Sequence, residues 1–330
     1  MSGGTANLAG LVFCNNPGCT NGTLNLNGGV ITATQIRANQ TGVANVSTLN
    51  WNGGTIVAGN GANANFLHNL TMANVQSGGA IIDSGTNIIN VSQALLDGGG
   101  GGGLTKLGSG ALRLNGINTY IGTTLVSAGT LGGTGSIAGP LSVGASGTVA
   151  PGMSIGTFTV SNNATLGGTA LMEISKNGGV PASDLLTVSS NLAYGGTLTV
   201  VLTGTNTLAF NDTFTLFAWG TQSGSFATKN LPAGYLWDTS QLNVNGTIRV
   251  IGVTPPQINP PVFSGGSLIL TGVGGPPGSG YTWLTTTNLT APMATWTTNF
   301  TGVFDTSAGF SNAFPINASD PARFFRLKTP

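Results

Sequence analysis

The 330-residue chain carries 9 Lys and Arg against 8 Asp and Glu, a net charge of +1, with charged residues only 5% of the total and hydrophobic residues 40%. That balance excludes the low-hydropathy, high-charge signature of a disordered chain, and it lacks the clustered cations that capture nucleic acid or an anionic membrane, so neither is expected as a partner. With 55 glycines and 15 prolines, the chain should fold with very many turns, behind a surface of Thr, Ser, Asn and Gly of the kind common on extracellular β-proteins.

The first residues, MSGGTANLAGLVF, hold no basic segment followed by an apolar core and do not read as a signal peptide. No run of about 18 apolar residues occurs anywhere, so no transmembrane helix is expected. Cys14 and Cys19 enclose Asn-Asn-Pro-Gly, which reads as a turn. In an oxidising compartment the pair could close a small disulfide loop; the alternative is two unconnected thiols. A metal site is not expected, because the cysteine spacing is wrong and His68, the one histidine, is far along the chain.

A repeat follows. GTLNLNGGVI (Gly22–Ile31) and STLNWNGGTI (Ser47–Ile56) match in register at an offset of 25, which sets Leu26 opposite Trp51. QSGGAI (Gln76–Ile81) extends the series Gly28, Gly53, Gly78 and the series Ile31, Ile56, Ile81. Leu24 and Leu26 alternate with Asn25 and Asn27, the period of a strand. Short strands at a fixed period predict a solenoid whose coils stack at about 4.8 Å, with Asn and Thr free to ladder between coils. About ten coils would give a rod of roughly 48 Å. A β-sandwich, with strands every 8–12 residues or so, is the competing fold; the phased Gly-Gly-x-Ile favours the solenoid over residues 20–160.

Gly98–Gly103 satisfies G-x-G-x-x-G trivially. The following LTKLG reads as strand rather than helix, so a flexible turn is expected instead of a phosphate loop. Then comes LTKLGSGALRLNGINTYIGTTLVSAGTL, residues 104–131. Leu104-Thr105-Lys106, Gly108, Gly110, Leu112, Leu114, Gly116, Asn118-Thr119-Tyr120, Gly122, Thr123-Thr124, Val126 and Ala128-Gly129-Thr130-Leu131 form a frame that resembles the autotransporter-associated β-strand repeat, also called the passenger-associated transport repeat. Ile117 and Ile121 stand where that repeat usually has smaller or polar residues. Residues 149–160, 183–200 and 231–250 also look like segments that follow this repeat in bacterial surface proteins. The resemblance implies a right-handed parallel β-helix, extracellular or associated with the outer membrane of a Gram-negative bacterium. It implies no particular ligand, since such passengers serve as adhesins, as stalks and as carriers of enzymes. Within the stretch, Leu112 and Leu114 are expected to point inward and Lys106 and Arg113 to face solvent. The part of the chain after Val250 is too short for a membrane barrel with its turns, so any anchor is expected from another chain or another part of the protein.

Chemistry is sparse. No two of the eight side-chain acids lie within two residues of each other. Asp184, Asp212 and Asp238 follow one another at spacings close to one coil. They could stack along one edge as a lyase-like or hydrolase-like site, against the reading that each is a turn aspartate. His68 reads as packing or surface. The Thr-x-Thr pairs, such as Thr157/Thr159 and Thr197/Thr199, are irregularly spaced and read as ordinary strand threonines. No catalytic, cofactor or metal residue is expected.

The stretch from Ile251 to Phe263 holds four prolines, and ten of the chain's aromatics follow Val250. The expected organisation is a β-helix over 1–250, a Pro-rich linker at 251–261, and a small β-sandwich-like domain at 262–330. In that last part Tyr281, Trp283 and Trp296 either fill the core or present a stacking face for glycans. The sequence thus reads as an all-β, exported, non-enzymatic surface protein, an adhesin or stalk, with surface glycans or other surface proteins as partners. A secreted carbohydrate-active or carbohydrate-binding β-helix is the alternative.

Overall fold

The computed structural model describes residues 1–14, 19–39, 46–204, 206–316 and 322–329. The residues between Cys14 and Cys19, read above as a turn, and Asp320 lie outside this set. The chain is a parallel β-helix. Successive coils lay down strands on three faces, and every coil pairs in parallel with the next. The first face stacks Ser2–Leu8, Gly28–Ala33, Thr55–Ala58, Ala80–Asp83, Leu104–Leu107, Thr124–Val126, Leu141–Val143, Ala164–Leu166, Leu185–Tyr194 and Phe217–Gly224. The second runs from Leu11–Phe13 to Thr228–Asn230. The third begins with Asn21–Leu26, Val46–Trp51 and Met72–Val75.

Alternation decides which side chains enter. In Ala111–Leu114, Leu112 and Leu114 are fully buried while Arg113 stays partly exposed. Stacking converts these inward residues into columns. The first-face column reads Ile31, Ile56, Ile82, Lys106, Val126, Val143, Leu166, Tyr194. Each fully buried aliphatic rung is worth about 1.5–3 kcal/mol of transfer free energy. The third copy of the repeat departs from the even period. Thr55 faces Ile81, so Ile82 and not Ile81 continues the column. One residue more between these strands shifts the parity, and a one-residue slip exchanges the faces.

On the third face Leu26 does face Trp51. Beside them the asparagines ladder: Asn50 Nδ2 donates to Asn25 Oδ1 at 2.8 Å, and Asn74 Nδ2 to Asn50 Oδ1 at 2.9 Å. Threonines ladder on the second face, where Thr130, Thr148, Thr169, Thr197 and Thr228 stand in register on five successive coils. The step along the chain lengthens at every rung, from its shortest at Thr130 to Thr148 to its longest at Thr197 to Thr228. That drift hides the ladder from any search at fixed spacing. Two positions along, Gly132 faces Ala150 and Leu171 faces Thr199, so the ladder is single file.

The glycine run makes a turn that is exposed over residues 98–101 and closes against the neighbouring coils at Gly102 and Gly103. Gly99, Gly100 and Gly101 all have positive φ, and a Cβ on Gly102 or Gly103 would strike the carbonyls of Gln76 or Thr123 on neighbouring coils. Glycine meets the first demand at Gly99, Gly100 and Gly101 and the second at Gly102 and Gly103.

Beyond the last coils, Thr213–Thr215, Thr247–Val253 and Tyr235–Asp238 form an antiparallel sheet, and Tyr194 stacks on Phe226 with ring centroids 4.3 Å apart. A second core of Leu270, Tyr281, Trp283, Phe304, Phe310 and Phe314 lies between two further antiparallel sheets. One contains Ser267–Val273 and Gly309–Pro315, the other Thr297–Val303, Gly280–Thr286 and Phe324–Lys328. The Pro-rich stretch contributes Gln257–Ile258 and Val262–Ser264 to the first of these sheets, both against Ser267–Val273.

Candidate functional site

Residues 104–131 make one full coil and the start of the next. Lys106 has no exposed surface, contrary to the expectation that it faces solvent. It shares a strand face with Leu104, and its stem fills the column between Ile82 and Val126. Its ammonium bends to the corner and donates to Leu107 O (2.7 Å), Gly108 O (2.8 Å) and Ala128 O (3.2 Å). All three donors of the ammonium are thereby used. Burial pushes its pKa down to about 8, with the negative charge of Asp83 pulling upward. Asn118, also buried, joins three coils. Its Oδ1 accepts from Leu95 N (2.9 Å), and its Nδ2 donates to Gly116 O (2.9 Å) and Ser136 O (2.8 Å). Tyr120 is fully enclosed and its hydroxyl meets Thr124 Oγ1 at 2.6 Å. Ile117 and Ile121 are exposed.

The three spaced aspartates do not meet; each has its own partners. Asp184 is buried, with Oδ1 accepting from Gly156 N and Oδ2 from Glu173 N. Burial pushes its pKa up to about 7 against those two hydrogen bonds, with the charge of Glu173 adding to the rise. Asp212 pairs with Lys176 at 2.8 Å. Asp238 accepts from Ser240 N and pairs with Arg249 at 2.9 Å; the Ser240 hydroxyl, then the Ser240 N–H and Arg249, hold its pKa down at about 2. A cavity of about 450 Å³ beside Asp238 is lined by Thr213, Ser240, Gln241, Thr247 and Arg249, with no second carboxylate among its described lining residues. A pair of carboxyl groups for acid–base work on a glycosidic bond is not assembled there. Among the described residues no three His, Cys, Asp or Glu side chains gather to hold a metal ion.

His68 Nε2 lies 3.0 Å from Gln35 Nε2 on the second face. Cys14 and Cys19 are joined as a disulfide. Tyr281 and Trp283 lie in the second core, where the tyrosine hydroxyl and the indole N–H both donate to Asn312 Oδ1 at 2.9 Å. Their rings therefore offer no face to solvent. Trp296 is partly exposed, and its indole donates to Ala291 O.

The passenger-associated transport repeat family matches residues 104–132. The chain carries a passenger-associated transport repeat. The Adhesin BmaC autotransporter of Brucella suis biovar 1 (strain 1330) is 35% identical over 92 residues, which cover 27% of this chain and 3% of that protein. The chain thus spans only a small fraction of the curated relative it matches.

The repeat is longer than one coil, and its geometry says why. Leu104 pairs with Thr124, Leu112 with Leu131, and Lys106 reaches Ala128. A unit cut at one coil would lose all three contacts. The passenger-associated transport repeat therefore holds a layer together with the seat for the next layer. No helix among the described residues is long and apolar enough to cross a membrane.

Proposed function

We propose that this chain is part of an exported surface protein of a Gram-negative bacterium, a β-helical stalk or adhesin that works without catalysis. The carrying observation is the repeat coil, whose buried Lys106 and Asn118 spend their hydrogen bonds on their own corner and on the adjoining layers. The scattered, individually partnered aspartates favour the same reading, as do the passenger-type repeat and the likeness to a protein named as an adhesin. Two experiments test it. Protease added to intact producing cells should remove the protein, and recovery only after lysis would refute the surface assignment. Purified protein incubated with a panel of acidic polysaccharides, with and without calcium, should release no product. Cleavage that disappears in Asp212→Ala would overturn the non-catalytic part and support a carbohydrate-active enzyme.

A further inference from the structure

The final strand, Phe324–Lys328, lies at one edge of the three-stranded sheet that covers the second core. Alternation sends Leu327 toward the core and Arg326 and Lys328 to the outer face, where both are exposed. Cross-strand register then builds two rows. Thr301, Thr282 and Lys328 stand side by side across the three strands, and Thr298, Leu284 and Arg326 form the next row. The two cations are two residues apart on one face, roughly 7 Å along the strand. The first row borders a shallow cavity of about 340 Å³, lined by Gly280, Thr282, Thr301, Gly302, Lys328 and Thr329 together with an edge of the core residue Tyr281.

Among the described residues, neither Arg326 nor Lys328 has an ion-pair partner. Asp305, the described acid of this region, is turned into its own loop, where Oδ1 accepts from Ser307 N and Gly309 N at 2.8 Å. The site therefore presents hydroxyls, backbone polar groups and, among the described residues, two cations without an ion-pair partner, beside the buried Leu284, in a chain with very few charges. That donor and acceptor set matches a sugar bearing an anionic group. Arg binds carboxylate or sulfate through two parallel hydrogen bonds, and Lys acts as a point charge. Two cations are too few for nucleic acid, whose capture needs a basic stripe.

We infer that this outer face binds an acidic polysaccharide, with Arg326 and Lys328 holding the anionic groups and Thr282 and Thr301 the hydroxyls. The inference goes beyond the surface reading and is independent of it, since binding is a property of the purified protein wherever it resides. Exposed ion pairs are individually weak and screened by salt, so retention rests on the polymer presenting many anions to many copies on a support.

The test is retention of the purified full chain on immobilised polygalacturonate, dextran sulfate, neutral dextran and duplex DNA, at low and high salt. The expected result is retention on one or both acidic polysaccharides at low salt, none on dextran, and loss at high salt. Polygalacturonate alone would identify the anion as carboxylate, dextran sulfate alone as sulfate. The double variant Arg326→Gln/Lys328→Gln should lose at least about fivefold in retention, while Arg113→Gln, a partly exposed cation on the β-helix, should bind like the unaltered chain. Thr301→Glu adds a carboxylate to the cavity wall without replacing either cation and should abolish retention, which guards against a double variant that misfolds. Equal retention on dextran, equal retention on DNA, an unaffected double variant in a folded chain, or equal loss in Arg113→Gln would each overturn the inference.

Discussion

Lys106 and Ala128 lie 22 residues apart in the chain and are joined by a 3.2 Å hydrogen bond from the lysine ammonium to the alanine carbonyl, one coil onward. A charged side chain thus occupies a rung between Ile82 and Val126 that its neighbours fill with hydrocarbon. The arrangement holds because the ammonium leaves the apolar column for a corner with three convergent carbonyls. An ionised group in that column without such partners would be strongly unfavourable.

Lys106→Met keeps the stem and removes the donors. It should destabilise the protein by about 1–3 kcal/mol, because the corner carbonyls of Gly108 and Ala128 lose the ammonium. Urea unfolding reads this; an unchanged midpoint would mean the carbonyls find other donors. The native pKa of about 8 lies below the ordinary 10.5, so between these values the unfolded chain binds more protons. The contribution of Lys106 to stability should therefore increase as pH rises through that window, and Lys106→Met should lack that slope.

Asp184 gives the opposite pH dependence. Its native pKa of about 7 exceeds the ordinary 3.8, so the folded state holds the proton longer. Its contribution is greatest below the ordinary value and is lost as pH rises toward 7. Relative to Asp184→Asn, the melting temperature of the unaltered chain should therefore fall between pH 4 and pH 7 or so. Parallel curves for the two proteins would refute the shift. Asp184→Ala should cost roughly 1–3 kcal/mol for each N–H left unpaired, at Gly156 and Glu173.

The asparagine ladder should be cooperative at its middle rung. Asn50→Ala breaks two side-chain bonds and Asn25→Ala only one. Because the ladder is solvent-accessible, the middle substitution should cost roughly 1 kcal/mol and the end one less. Equal effects would show that the ladder adds nothing beyond strand pairing.

Asn312→Ala strips the shared acceptor from Tyr281 and Trp283. Near-ultraviolet circular dichroism should lose the tryptophan signal of the second core, at a cost of about 1–3 kcal/mol per unpaired donor. Unchanged stability would mean that both donors reach another acceptor.

The solenoid is readable from the early repeats, because Leu26 facing Trp51 follows directly from an offset that holds at 25. What escapes are features that depend on coil length and parity. Ile81 loses its rung to Ile82 through one added residue, and the threonine ladder is invisible when each coil is longer than the one before. Lys106 is misplaced when charge is weighted over alternation, although Leu104 inward already requires Lys106 inward. The aspartates mislead in another way: spacings near one coil bring strands together, yet Lys176 and Arg249 reach the carboxylates of Asp212 and Asp238 first.

The unequal coils have a mechanical consequence. The layers from Lys106 to Val126 and from Val126 to Val143 are the narrow ones, whereas those from Leu166 to Tyr194 and from Tyr194 to Gly224 are broad. Pulled between its ends, the rod would release chain one layer at a time, in steps from about 60 Å at the narrowest coil to about 100 Å at the broadest. Under axial load the stack becomes a graded extensible tether whose shortest yield step starts within the repeat, at Val126.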